Sequence, residues 1–269
     1  MKRQAPATIA LVLIALGLHA TASARTLQEV LNQGRMRVGV ALATPWAMRE
    51  DGEFKGFEVE VARQLGNDMG VTVDIFAYDW ERLVPALESG EIDLIAAGLT
   101  ITPERALHVN FSQPYASGGV GLATNLNRTQ DVRNLADLDD PKYRIAAIAG
   151  SVAVALAQRI LPRATLREFD DTEAASAALA AGEVDGFLED EPVPTFLSLE
   201  RPSTIDVPLA RPLLETHAGF AVNKGDPDFL AFLNAWIIAR TADTWLPTTH
   251  NYWFESLRWR RAVGAPTIR

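Results

Sequence analysis

Hydrophobic positions in this chain fall into short apolar runs that alternate with stretches of helical spacing. Residues 27–32 are amphipathic with Gly34 just beyond, which predicts a short helix. Residues 36–41 (M-R-V-G-V-A) are β-branched and bounded by Gly and Pro, and read as a buried strand. Asp51-Gly52 marks a turn. Phe57, Val61 and Leu65, with Val59 and Ala62, recur at helical spacing and predict a helix over 57–69 that Gly70 stops. Residues 71–76 read as a strand, 80–87 as a helix ended by Gly90, and 93–97 as a strand. A β-α-β-α-β order predicts a parallel sheet with helices on its faces.

The pattern then restarts, with strands at 144–149, 165–169 and 184–188 and helices at 151–161 and 173–181. Residues 218–222 read as a returning strand, 227–240 as a helix, and 245–259 as a terminal, helical, aromatic-rich segment. The restart is visible as a repeat. L-E-S-G-E-I-D-L-I-A (87–96) recurs 92 positions later as L-A-A-G-E-V-D-G-F-L (179–188). Each copy is a helix end, a stopping Gly and an apolar strand. Their continuations differ: A-G-L-T-I-T-P-E-R (97–105) after the first copy, E-D-E-P (189–192) after the second. One strand end offers hydroxyls and an arginine, the other carboxylates. A ligand carrying both a carboxylate and an ammonium fits between them, and ligands of open α/β sheets sit outside the carboxyl ends of the strands. Two units joined by crossing segments near 121–125 and 215–222 are expected, with the tail returning to pack on the first. This divides the chain into lobe one (25–121 and 220–269) and lobe two (122–219).

The first residues change the compartment. Lys2 and Arg3 precede an apolar stretch from Ala7 to Leu18 and a small-x-small site at Ala22-Ser23-Ala24. This is the pattern of a cleaved secretory signal peptide over 1–24, too short for a spanning helix of about 20 residues. Its removal from the 269-residue chain leaves 245 residues and takes the formal charge from −9 to −11. No later segment is apolar for long enough to span a membrane. The absence of Cys removes disulfides, thiolate metal sites, Cys nucleophiles and a lipidation thiol. An acidic chain with few aromatics is a poor nucleic-acid binder.

Candidate chemistry gathers at the strand ends. Thr102 with Pro103 and Glu104 suits a helix N-terminus, whose N–H groups favour an anion. Arg105 can add a bidentate fork to a carboxylate, or can be a surface residue paired with Glu104 or Glu81. Asp190 ends a buried strand, where a carboxylate needs a partner: either an ammonium ligand, or a capping bond to the segment entered at Pro192. Glu189 and Glu191 alternate with Asp190 along the strand, so only part of this trio faces the cleft. Trp46, Trp80 and Tyr115 lie near the same loops, as ligand-flanking aromatics or as core. Gly150-Ser151 opens a helix, either as an anion site or as a plain Ser cap. His108, His217 and His250 lack metal-ligand spacing; there is no G-x-S-x-G elbow and no Gly-rich phosphate loop. No catalytic residue, metal or cofactor is expected.

D-L-I-A-A-G-L-T-I-T-P-E-R-A-L-H-V-N-F-S-Q-P-Y (93–115) resembles the signature of bacterial extracellular solute-binding proteins of family 3, the polar amino-acid receptors of ABC importers. The similarity extends from about residue 27 to 259. It implies an α/β two-lobe periplasmic binding protein (type II-like), each lobe a mostly parallel sheet flanked by helices, working as a monomer with a permease in the inner membrane. It also implies that Arg105 grips a ligand α-carboxylate with Thr100 and the backbone near Gly98, that Asp190 takes the α-ammonium, and that Trp80 walls the pocket. Gly150-Ser151 falls where the family often has Gly-Thr-Thr. Val152 replaces the second Thr, and the loop Ala41–Trp46 is short and lacks an acid. That departure leans the ligand away from Lys or Arg and towards a neutral or acidic solute.

Two other functions compete. The same fold resembles secreted cyclohexadienyl (prephenate/arogenate) dehydratases, which should carry an acid three residues after the position of Asp190 to protonate a leaving hydroxyl. Here that position is Val193. A sensory or regulatory domain is the third reading, and with nothing after residue 269 a stand-alone accessory role is expected of it.

Overall fold

A computed structural model describes residues 25–256 and Trp259. The signal peptide read over 1–24 and the last ten residues assigned to lobe one lie outside them. No helix among the described residues is long and apolar enough to cross a membrane.

The first unit runs α1 (Leu27–Gln33), β1 (Arg35–Val40), β2 (Met48–Glu50), β3 (Glu53–Lys55), α2 (Phe57–Met69), β4 (Thr72–Ala77), α3 (Leu83–Glu88), β5 (Leu94–Ile95), α4 (Pro103–Ala106) and β6 (Asn110–Phe111). The second runs β7 (Ala116–Asn125), β8 (Arg144–Ile148), α5 (Val152–Ile160), β9 (Thr165–Phe169), α6 (Thr172–Ala181), β10 (Gly186–Asp190), α7 (Val193–Glu200), β11 (Ile205–Asp206) and β12 (Leu214–Ala218). The chain then returns through β13 (Ala221–Val222) to α8 (Pro227–Ala242) and α9 (Trp245–Phe254). A 3-10 turn at Trp80–Arg82 precedes α3, where the sequence predicts one helix.

Two main sheets result. The first has the order β4-β1-β5-β13-β6, and the second β11-β7-β10-β8-β9, with β12 also paired to β7. Both are mixed rather than mostly parallel. β1 is parallel to β4 and β5, and β8 is parallel to β9 and β10, as the repeat predicts. β13 runs antiparallel to β5 and β6, and β7 antiparallel to β10, β11 and β12. The antiparallel strands are those next to the crossings, because a chain that leaves one sheet and later returns must come back in the opposite sense.

The crossings themselves lie at 112–115 and 219–220. The segment at 121–125 is the second half of β7, so the boundary read at 121/122 falls within a strand of the second sheet. The single returning strand read at 218–222 is two strands in different sheets, separated by Gly219-Phe220.

The repeat has a structural cause in its aspartate. Asp93 and Asp185 receive the backbone N–H of Arg37 at 2.7 Å and of Arg144 at 2.8 Å. Each returns its own N–H to the carbonyl of the same residue, at 2.8 Å in both. Their carboxylates also hold Arg25 with Arg37, and Arg128 with Arg144. Each aspartate therefore locks the start of a central strand to the last strand of its repeat copy. Burial alone would raise their pKa values, yet these bonds hold both below the ordinary range.

The tail packs on lobe one as expected. The indole N–H groups of Trp236 and Trp253 donate to Asp68 and Glu60 of α2, each at 2.7 Å. It also reaches lobe two: the Trp259 ring lies 5.6 Å from Trp253 and 5.5 Å from Phe196 of α7.

Candidate functional site

A cavity of about 310 Å3 lies where the carboxyl ends of six strands meet. Loops after β1, β4 and β5 form one wall, and loops after β8, β9 and β10 the other. The parallel strands of each sheet aim their ends the same way, which is why the wall draws on both lobes.

Trp46, Trp80, Gly98, Ser151 and Asp190 all line this cavity. Arg105 and Thr100 are not part of its wall. Arg105 sits at the lip, where Nη1 donates to the Thr100 carbonyl and Nη2 to the Gly150 carbonyl, both at 2.9 Å. The second bond crosses from one lobe to the other. Trp80 Nε1 donates to the same Gly150 carbonyl at 3.3 Å, and the Arg105 guanidinium lies 5.5 Å from the Trp80 ring centre. Thr100 contributes its backbone to this arrangement while its residue is buried.

The local chain explains the placement of Arg105. Thr102 accepts the Arg105 N–H at 3.2 Å with Pro103 in the first turn, the cap that the sequence predicts. Burial pulls the guanidinium below its usual pKa, and the charges of Asp190 and Glu104 oppose that. Arg105 therefore senses Asp190 across the site, and the reading as a surface residue paired with Glu104 or Glu81 is replaced by the two carbonyl contacts.

Ser151 precedes α5, yet its side chain makes no capping bond. Its Oγ is buried without a partner, as are Trp46 Nε1, Glu189 Oε2 and Asp190 Oδ1. All four residues line the cavity. Buried polar atoms are normally hydrogen-bonded, so their convergence marks a place built for polar contacts. Burial raises Asp190 to about 6, opposed by the Arg105 charge and by hydrogen bonding from Thr216. Burial and then the Asp190 charge raise Glu189 to about 8, opposed by the Asp190 N–H and by the nearby Thr172 hydroxyl. That hydroxyl stays outside hydrogen-bonding geometry with Oε2.

Only part of the trio at 189–191 faces the cavity, as expected, but it is the adjacent pair Glu189 and Asp190 rather than residues on one side of the strand. Glu189 joins Asp190 in the wall because β10 ends there, and its Oε1 folds back to accept the Asp190 N–H at 2.9 Å. Glu191 turns away: it accepts from Thr195 at 2.9 Å and lies against Gly121. Tyr115 is core rather than wall. It stacks on Phe220 at 4.1 Å and donates to the fully buried Glu58, whose oxygens lie at 2.8 and 2.9 Å. The same phenol accepts the Gly98 N–H at 3.2 Å. Gly98 has φ +63°, and a Cβ there would meet the Trp46 ring at 3.2 Å. Glu58 thus acts behind the wall, and it was unread in the sequence because it sits between core residues of α2. Its burial raises it from the ordinary 4.5 to about 8.

A cleft between two α/β lobes, walled by strand ends from both and studded with unpartnered polar atoms, defines a protein of the two-lobe ligand-binding class. The chain belongs to the bacterial extracellular solute-binding proteins, family 3, whose model matches residues 36–256. The L-cystine-binding protein of Escherichia coli (strain K12) is 26% identical over 230 residues, covering 85% of each chain. A structure from Wolinella succinogenes DSM 1740, described as a binding component of an ABC transporter complexed with lysine, is 30% identical. It covers 85% of this chain and 99% of that one with a TM-score of 0.79. An ancestral amino-acid-binding protein described as a precursor of cyclohexadienyl dehydratase is 28% identical, with the same coverage and a TM-score of 0.77.

Proposed function

We propose that this protein is the periplasmic receptor of an ABC importer and binds an amino acid between its lobes. The observation that carries the reading is Asp190 Oδ1, buried without a partner in the cavity wall and coupled to Arg105 on the opposite lobe. An α-ammonium gives Asp190 Oδ1 the partner it lacks. An α-carboxylate competes with the Thr100 and Gly150 carbonyls for the guanidinium, and the free Ser151 hydroxyl adds a donor. Trp46 and Trp80 flank the space between. Such a ligand bridges both lobes, so its binding energy favours the closed form, which is the form an inner-membrane permease would read. Export through a cleaved leader and action as a monomer complete the proposal.

The test is calorimetry on mature protein, unfolded and refolded to strip carried-over ligand, against the twenty amino acids. Saturable binding of one or a few is expected. Arg105→Ala and Asp190→Ala should each weaken it by about 2–5 kcal/mol with the folded circular dichroism spectrum retained. Unchanged affinity in both variants overturns the site.

The dehydratase reading has one observation in its favour: Glu189, with its pKa near 8, is a protonated carboxyl at neutral pH inside the cavity. Against it, position 193 is a buried valine, and a wall rich in carboxylates repels a dicarboxylate such as prephenate. Turnover of prephenate or arogenate would decide for it.

A further inference from the structure

Among the described residues the cavity wall carries six carboxylates: Asp79 from lobe one, and Asp170, Asp171, Glu173, Glu189 and Asp190 from lobe two. No described Lys, Arg or His belongs to it. An acidic wall alone specifies nothing, since such groups can have other work. Asp171, for example, caps α6 by accepting the Ala174 N–H at 2.7 Å. Glu189 is different. Its Oε2 is buried and has no hydrogen-bond partner, in a residue that lines the cavity. One amino acid supplies one α-ammonium, and Asp190 takes it. A second unpartnered carboxylate oxygen then remains on the same strand end. The other wall of the cavity carries Trp46 and Trp80, rings of a kind that attract a cation, and Trp80 already has the Arg105 guanidinium 5.5 Å from its ring centre. A cation held here would run against the preference for a neutral or acidic solute drawn from the acid-free 41–46 loop.

We infer that Glu189 is a second cation-binding point and that the ligand is an amino acid with a cationic side chain, of the diamino or guanidino kind. This rests on the amino-acid reading above for the roles of Asp190 and Arg105. Burial keeps Glu189 protonated near neutral pH, with the Asp190 charge adding to it. A ligand cation favours the ionised form, so a cationic amino acid expels a proton on binding.

The test titrates refolded mature protein with L-lysine, L-ornithine, L-arginine, L-glutamine, L-glutamate and cadaverine, at pH 7 in buffers of different ionisation enthalpy. Expected is preference for the cationic amino acids, with close to one proton released per lysine and a much smaller release for glutamine. Glu189→Gln should weaken lysine by about thirtyfold or more, change glutamine less than threefold and abolish the proton release. Lysine binding no tighter than glutamine, or lysine affinity unchanged in Glu189→Gln, overturns the inference while neutral amino-acid binding leaves the receptor reading standing. Cadaverine binding as tightly as lysine supports the Glu189 point and removes the carboxylate anchor at Arg105. Silence toward every amino acid and cadaverine overturns both.

Discussion

Replacing Glu58 with Gln should make the protein more stable at alkaline pH and remove a large part of its pH dependence. Glu58 is buried without accessible surface, and burial raises its pKa from 4.5 to about 8, against a smaller opposing effect of the Tyr115 hydrogen bond. Each pH unit of displacement is worth about 1.36 kcal/mol, so the full effect is on the order of 5 kcal/mol. Proton uptake sets the sign. Between pH 4.5 and 8 the folded protein holds the Glu58 proton and the unfolded chain has lost it, so stability falls as pH rises. The contribution is intact below 4.5 and gone above about 8. Gln reproduces the neutral group and cannot ionise. Urea unfolding of both proteins, tracked by Trp fluorescence at about pH 4 and pH 8.5, on either side of that window, measures the difference between them at each pH. Glu189 and Asp190 titrate in the same window, but they are common to both proteins and cancel. The expected result is a difference that moves by several kcal/mol in favour of the variant at the higher pH. A difference constant to within about 0.5 kcal/mol would refute the reasoning, because Glu58 would then titrate as it does in water.

Asp185→Asn should cost about 2 kcal/mol at pH 7, discounted for the half-exposed Arg128 and Arg144. Asp185 is depressed in the folded state, so its contribution is present above the unfolded value and is lost as pH falls through the folded one; the deficit of the variant should shrink in urea unfolding at about pH 2.5. Trp80→Ala removes a cavity wall and the indole bond to Gly150. It should change the rank order of amino-acid affinities by calorimetry while moving Tm by only a few degrees. A large fall in Tm with unchanged selectivity would make Trp80 a core residue.

The units of the fold were legible because hydrophobic spacing is local. The helix over 57–69 and the strand over 165–169 match the structure residue for residue, and the repeat with its opposed strand ends located the cavity. The crossings were misplaced because the long, Gly-rich β7 carries no signal of which sheet it joins; pairing partners are a tertiary property. Strand alternation limited how much of the 189–191 trio faces the cavity but could not say that Glu189 joins Asp190, since the rule weakens where a strand ends and a side chain can fold back onto the next N–H. Glu58 was invisible for a related reason: a Glu between Phe57 and Val59 reads as an ordinary helix residue until Tyr115 and Gly98 are brought beside it.

The buried carboxylates of this protein sort by how completely they are paired. Asp93 and Asp185 each hold two arginines and a backbone N–H, and they stay ionised at the strand starts, far from the cavity. Glu58 has a phenol for its side-chain partner and sits one residue behind the wall, where that phenol also fixes the Gly98 N–H. Glu189 and Asp190 each keep an unpartnered oxygen and form the wall itself. A buried charge without a partner costs free energy, so the fold concentrates that cost at the one place where a bound solute can relieve it. The same gradient orders the expected effects of ligand on proton affinity. A cation in the cleft should lower the pKa values of Asp190 and Glu189 strongly, lower Glu58 weakly through the field alone, and leave Asp93 and Asp185 unmoved. Carboxyl titrations by NMR with and without ligand would read that order directly, and an equal response across all five would mean that incomplete pairing does not mark the binding site.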